Sequence, residues 1–255
     1  MTGQFQKYSQ YYDLIYQSKD YPAETSYIDK ILRKSTSKPL KTFLSLGCGT
    51  AAYELLLAKK GYQIDGVDLS PTMLGVAKEK INHAKLTSKI TLHQGDIRKF
   101  SLDKQFDAAG MLFNIVGYMI ENQDFENALL NVSKHLKPGG LFVFDCWYTP
   151  AVLRDPPTDR VKKISKKDSR VLRLTRSQLN LDRNFVDINF QVLSTKGSKI
   201  LDEVNENHPM RYFSLPELNY YFTKTGLQLI SAYDWLETTP VTGKKWDIFV
   251  VARKI

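Results

Sequence analysis

Phe43-Leu44-Ser45-Leu46-Gly47-Cys48-Gly49-Thr50-Ala51-Ala52 is the stretch on which the fold turns. A short, mostly apolar run enters a turn with two glycines, and helical spacing follows from Tyr53 to Lys60. This order reads as strand, tight turn, helix. Glycine is needed in such a turn so that the backbone can reverse sharply and a ligand can approach without meeting a Cβ. Asp68 ends the next apolar run, 68 − 47 = 21 residues after the first glycine. A carboxylate there can accept hydrogen bonds from both hydroxyls of a ribose, so the pair predicts a nucleoside site.

Working outward, short apolar runs at 42–46, 63–67, 89–93, 106–113 and 141–146 alternate with helical stretches, which predicts a parallel α/β sheet. Ser70 is a candidate N-cap with Pro71 at the first helical position. Phe125, Leu129, Val132 and Leu136 recur at helical spacing until Pro138-Gly139-Gly140 interrupts them. After Pro150 the period changes: Val186, Ile188, Phe190 and Val192 alternate with polar residues, predicting a half-buried antiparallel sheet inserted over 150–212. Ser214-Leu215-Pro216-Glu217 has capping-box spacing and Gly226 marks the end of that helix. Strands near 227–233 and 246–252 then return the chain to the main sheet. The expected organisation is one domain over 1–255, with a helical N-terminal segment over 1–40.

The composition suits a globular chain of 255 residues, 42% hydrophobic and 25% charged. No run approaches the roughly 18 apolar residues of a membrane span, and Met1 to Gln10 hold no apolar segment behind a basic start, so a cytoplasmic protein is expected. Two cysteines, Cys48 and Cys146, make no disulfide framework, and with four scattered histidines they make no metal cluster, so no metal is expected. The formal charge of 36 − 27 = +9 fits an anionic partner, and it equally keeps an enzyme dispersed.

Two further motifs follow in order: Gln94-Gly95-Asp96-Ile97 after the third strand, and Leu136-Lys137-Pro138-Gly139-Gly140 before the fifth. With the glycine loop and Asp68 they make the first 150 residues or so resemble the class I S-adenosylmethionine-dependent methyltransferases. The resemblance implies a doubly wound, Rossmann-like α/β fold with a seven-strand mixed sheet, and S-adenosyl-L-methionine as cofactor. It implies that Gly47, Cys48 and Gly49 flank the methionine part, Asp68 holds the ribose, and Asp96 with Ile97 meets the adenine. Tyr12, Tyr21, Leu69, Met73 and Phe113 are implied as further cofactor neighbours, the two tyrosines from an N-terminal lid. Two departures stand out, because the family's acid before the glycines is Ser45 here and its third glycine is Ala51. Gly47-x-Gly49-x-x-Ala52 also satisfies a dinucleotide fingerprint, so an NAD-dependent oxidoreductase competes. That reading leaves Gly95-Asp96 unexplained and needs an acid–base group in the second half. His208, the only histidine there, adjoins Pro209 in an expected connection. A non-catalytic cofactor-binding protein is the other alternative.

Tyr11 to Tyr16, Asp20 to Glu24, Phe113 to Tyr118, Asp145 to Pro150 and Arg211 to Leu215 resemble the nucleotide-sugar N-methyltransferases that dimethylate amino sugars. Enzymes acting on glycine or sarcosine share several of these stretches, and an O-methyl acceptor is a further alternative. A methyl group on a sulfonium is already electrophilic, so the protein must mainly align an amine and exclude water. Tyr118 or Asp145 is expected to take the amine's proton, with Asn114 beside the substrate. Trp147 and Tyr148 are expected either as an aromatic wall for the sugar or as packing under the insert. Arg211, Lys244 and Lys245 are candidate phosphate ligands for a phosphorylated or nucleotide-linked substrate. The basic run Arg160, Lys162, Lys163, Lys166, Lys167, Arg170, Arg173 and Arg176 is expected to be mostly a solvated face. No aromatic residues interleave with it, which disfavours nucleic acid. Cys48 is expected to pack under the turn, and His135 to sit exposed at a helix end. The extra sheet offers an edge for a homodimer.

Overall fold

The computed structural model describes residues 7–166 and 169–255, with the side chains of Lys166 and Ser169 left aside. Lys167 and the first six residues of the Met1 to Gln10 stretch lie outside the described residues.

Five parallel strands, β1 (Thr42–Leu46), β2 (Gln63–Asp68), β3 (Ile90–Gln94), β4 (Phe106–Met111) and β5 (Leu136–Tyr148), lie in the order β3-β2-β1-β4-β5. The antiparallel β11 (Asp247–Lys254) extends this sheet beyond β5, and β10 (Leu227–Asp234) pairs with β11. The central strands β1, β4 and β5 are largely apolar because both their faces are covered. Leu44, Leu46, Phe142 and Phe144 pack on one side with α5 (Asn122–His135) and α7 (Leu215–Lys224). Their neighbours Phe43, Leu141, Val143 and Phe249 pack on the other with α2 (Tyr21–Lys34) and α3 (Ala52–Lys59). The strand order reverses between β1 and β4, and α/β sheets bind ligands beyond the strand ends at such a reversal.

Helix starts follow local chemistry. Ser70 Oγ accepts from the Met73 amide at 3.3 Å at the head of α4 (Pro71–His83). Ser214 and Glu217 form a reciprocal capping box at α7. β5 starts earlier than the sequence suggests, immediately after α5, because Leu136 pairs with Phe106. Pro138-Gly139-Gly140 then forms an irregularity inside the strand, with Gly139 at φ +77°, before pairing resumes at Leu141. His135 is buried at that junction instead of exposed. Its Nδ1 donates to Asn131 O at 2.8 Å, and its Nε2 accepts from the Leu102 amide at 3.0 Å.

After α6 (Thr149–Arg154) come β6 (Arg160–Lys166), β7 (Ser169–Asn180), β8 (Phe185–Lys196) and β9 (Lys199–Phe213), an antiparallel meander. It joins the main sheet through Trp147 and Tyr148 of β5, paired with Tyr212 and Phe213. α1 (Ser9–Ile15) rests on this insert, where Tyr8 and Ile15 meet Ile164, Val171, Val192 and Val204. Two members of the basic run clasp it there. Lys162 Nζ donates to Ile15 O at 2.5 Å, and Arg173 donates to the Tyr16 hydroxyl at 3.0 Å. Arg160, Lys163, Arg170 and Arg176 are exposed. Among the described residues no helix is long and apolar enough to cross a membrane, and no group of three or more His, Cys, Asp or Glu is placed to hold a metal ion.

Ala51 has a left-handed conformation, φ 60° and ψ 34°, at the position where the resembling family carries its third glycine. A left-handed L-residue costs roughly 1–2 kcal/mol, against roughly 0.5–1 kcal/mol for glycine's extra freedom when unfolded. Ala51→Gly is therefore expected to stabilise the protein by about 0.5–1 kcal/mol. Urea unfolding checks this, and a destabilised variant would contradict it.

Candidate active site

A cavity of about 530 Å³ opens beyond the ends of β1, β2 and β3, a volume within the range of small-molecule sites. Gly47 and Gly49 form its floor, Asp68, Leu69 and Met73 one side, and Asp96 and Ile97 the far end. Tyr12 and Tyr118 complete the wall. These nine expected residues thus meet in one space. A Cβ on Gly47 would fall 2.7 Å from Ile115 Cδ1, so only glycine leaves that wall intact.

Asp68 ties the cavity together. Its Oδ2 accepts from the Gly49 amide and its Oδ1 from the Ser70 amide, each at 2.8 Å. Burial raises its pKa, and the two backbone bonds work against that rise. The amides of Gly47 and Cys48 both donate to Val67 O, at 2.8 and 3.1 Å, fastening the loop to β2. At the far end the Arg98 guanidinium forks onto Asp96 and holds its carboxyl below the usual range. Above the loop, Asp13 of α1 accepts from Thr50 Oγ1 at 2.7 Å and pairs with Lys80 at 3.1 Å. That contact brings Tyr12 over the cavity.

A smaller recess of about 30 Å³ continues beneath the loop, where Tyr21, Cys48 and Phe113 gather around Ser45, Tyr53 and Glu54. Burial raises the Cys48 thiol, which packs against Gly66 of β2. Phe113 and Asn114 take left-handed backbones, φ 67° and 55°. Their amides both donate to Asp145, at 2.6 and 2.8 Å. Asp145 therefore supports the loop from below and lines neither space, which corrects its expected role as a proton acceptor. Burial, reinforced by Asp247, pushes its carboxyl up to about 7. Asn114 is buried too, with neither end of its amide hydrogen-bonded among the described residues.

At the insert side of the main cavity, the Tyr118 hydroxyl lies 2.8 Å from His208 Nδ1, and His208 Nε2 lies 2.9 Å from Glu206 Oε2. His208 is 1% exposed and belongs to β9, not to a connection as its neighbour Pro209 suggests. Burial and the nearby Tyr16 push the Tyr118 hydroxyl well above the ordinary phenol range. Other expected substrate residues serve the scaffold. Arg211 is 5% exposed, with its guanidinium on Asn122, Glu217 and the carbonyls of Met119 and Ile120. It locks a helical turn (Ile115–Tyr118) to α5 and α7, so it is no phosphate ligand. Trp147 packs edge-on against Trp246 beneath the insert. Tyr148 joins the core on the α5 side. Lys244 is exposed on a loop, and Lys245 pairs with Glu237.

Glu54, Glu206, Arg98 and Ile115 escape sequence reasoning. Glu54 reads as a polar helix position and Glu206 as one of many strand charges. Arg98 follows Asp96 by two residues, and that proximity was the available signal.

The match to a methyltransferase domain spans residues 43–140, which are β1 to the β5 irregularity. The chain is 30% identical over 233 residues to the dTDP-3-amino-3,4,6-trideoxy-alpha-D-glucopyranose N,N-dimethyltransferase of Streptomyces venezuelae, covering 90% of this chain and 92% of the relative. It is 25% identical over 220 residues to the dTDP-3-amino-3,6-dideoxy-alpha-D-glucopyranose N,N-dimethyltransferase of Streptomyces fradiae, covering 86% and 82%. An S-adenosylmethionine-dependent methyltransferase from Clostridium acetobutylicum has the same fold, with TM-score 0.81 over 98% of both chains at 21% identity.

Asp68→Ala is expected to weaken binding of S-adenosylhomocysteine about 100-fold or more, since it removes a carboxylate from the cavity wall and releases the loop it holds. Calorimetry checks this, and an unchanged affinity would place the nucleoside elsewhere.

Proposed function

We infer the reaction from one premise: the chain belongs to the S-adenosylmethionine-dependent methyltransferase family. The reading the site supports best is transfer of a methyl group to the amine of a nucleotide-linked amino sugar. The observation that carries it is the cavity running from the glycine loop past Asp68 to Asp96 and Ile97, with Tyr118 at its insert side. The Streptomyces relatives, named for dTDP-amino sugars, support the substrate class.

The residues present fit the cofactor. Gly47 leaves room that a Cβ would fill, Asp68 offers a half-buried acceptor for a ribose, and Ile97 gives an apolar face for a base. When bound, the cofactor supplies an activated methyl group on a sulfonium. The chain must then hold the amine in line and keep water out. Tyr12, within 4.9 Å of Tyr16 by ring centroids, roofs the cavity with aromatic faces, which attract cations.

Tyr118 orients the amine. With Glu206 accepting from His208 Nε2–H, His208 Nδ1 is left as an acceptor, and the Tyr118 hydroxyl donates to it. Tyr118 lines the cavity, where its oxygen is placed to accept from an amine N–H and so aim the nitrogen lone pair at the methyl group. After transfer, the extra proton on the product nitrogen has a route through the Tyr118 oxygen to His208 Nδ1, with Glu206 steadying the charged ring.

The test is incubation with S-adenosylmethionine and dTDP-linked amino sugars, read by mass spectrometry, with glycine and sarcosine in parallel. One and then two methyl increments on the sugar amine are expected. Transfer to glycine or sarcosine alone would overturn the substrate reading. Tyr118→Phe is expected to lower kcat about 10- to 100-fold while S-adenosylhomocysteine affinity stays within about twofold. Steady-state kinetics with calorimetry checks it, and an unchanged kcat would remove Tyr118 from the mechanism.

A further inference from the structure

Ser45 stands where the resembling family carries an acid, yet the place it faces is not without a carboxylate. Glu54, in the first turn of α3, reaches back under the glycine loop to it. The Ser45 hydroxyl donates to Glu54 Oε1 at 2.5 Å. Glu54 is 1% exposed, and its Oε2 has no hydrogen-bond partner among the described residues. Leaving a carboxylate oxygen buried and unmet is costly, so such an atom marks a place where a donor arrives.

The surroundings say what kind of donor. Glu54 lines the small recess with Tyr21, Cys48 and Phe113, and that recess shares Gly47, Gly49 and Tyr12 with the main cavity. Its volume of about 30 Å³ suits one small polar group, not a ring. Lys80, whose charge acts on Glu54, is spent on Asp13 and Thr50, and Lys19, over the Phe113 ring, is spent on Glu24. Asp68 lies close enough to add negative charge. Burial pushes the Glu54 carboxyl up to about 7, so a cation entering the recess would draw it into the charged form.

We propose that Glu54 receives the α-ammonium group of the cofactor's amino-acid end, so that helix α3 supplies the carboxylate that strand β1 lacks at Ser45. The proposal rests on the methyltransferase reading. It gives Ser45 a role as well: its hydroxyl fixes one oxygen of Glu54 and so turns the other toward the recess.

The experiment is calorimetry of wild type, Glu54→Gln and the double variant S45D/E54A with two ligands, S-adenosylhomocysteine and 5′-methylthioadenosine, which lacks the amino-acid end. Glu54→Gln keeps a group for Ser45 to bond, and thermal unfolding checks that it folds. It is expected to weaken S-adenosylhomocysteine about 10- to 100-fold, the value of a hydrogen bond to a charged group, and to leave 5′-methylthioadenosine within about twofold. S45D/E54A, with the acid returned to the strand, is expected to regain most of the lost affinity. Equal losses on both ligands would make Glu54 a loop support only, and no loss on S-adenosylhomocysteine would remove the ammonium from Glu54; either result overturns the proposal. Wild type binding neither ligand would sink the methyltransferase reading itself, an outcome distinct from both.

Discussion

The Asp68 carboxylate, bonded at once to the amides of Gly49 and Ser70, is the contact on which the site depends. It joins the glycine loop leaving β1 to the start of α4, which follows the neighbouring strand β2. The loop can lie there because Gly47 and Gly49 both take positive φ, and because Val67 O receives two of its amides. A loop pinned on both sides needs little further ordering when a ligand binds, which is where preorganisation gains affinity. Everything around it is placed by reference to this clamp: Asp96 on the neighbouring strand's end, α1 held above by Asp13 on Thr50, and Glu54 below.

Two structural units divide the work. The parallel sheet, buried on both faces, fixes the loops after β1, β2, β3 and β4. The antiparallel insert backs one wall of the cavity, because β9 carries His208 and Glu206 back to Tyr118 after its long excursion. The insert also carries α1 through Lys162 and Arg173, so the roof of the site is fastened to the same strands. Buried carboxylates serve different ends here. Asp145 is satisfied by two amides and shapes the Phe113–Asn114 turn, whereas Glu54 keeps one oxygen unmet.

The sheet and the grouping of the glycine loop, Asp68 and Asp96 around one cavity were legible because their signals are local. Apolar runs, a glycine turn and an acid at a strand end are each contained in a few residues, and their spacing fixes where they meet. What escaped reading depends on long-range approach. His208 lies 90 residues from Tyr118, and Pro209 disguised its strand, since proline seldom occupies a paired strand position. Arg211 and Asp145 carry the residue types of a binding site, but burial and full hydrogen bonding assign them to the scaffold. His135 misled because a helix end is usually exposed, and here β5 begins without a connection. The Ser45 departure was visible in sequence, while its answer in Glu54 needed the helix folded beneath the loop.

The central claim is that the glycine loop, Asp68 and Asp96 hold an adenosyl amino-acid cofactor instead of a dinucleotide. Calorimetric titration of the wild-type protein with S-adenosylmethionine, S-adenosylhomocysteine and NAD, run in parallel, tests it most directly. The account predicts one site for each of the first two ligands and no heat with NAD. Binding of NAD with no response to the other two would contradict it.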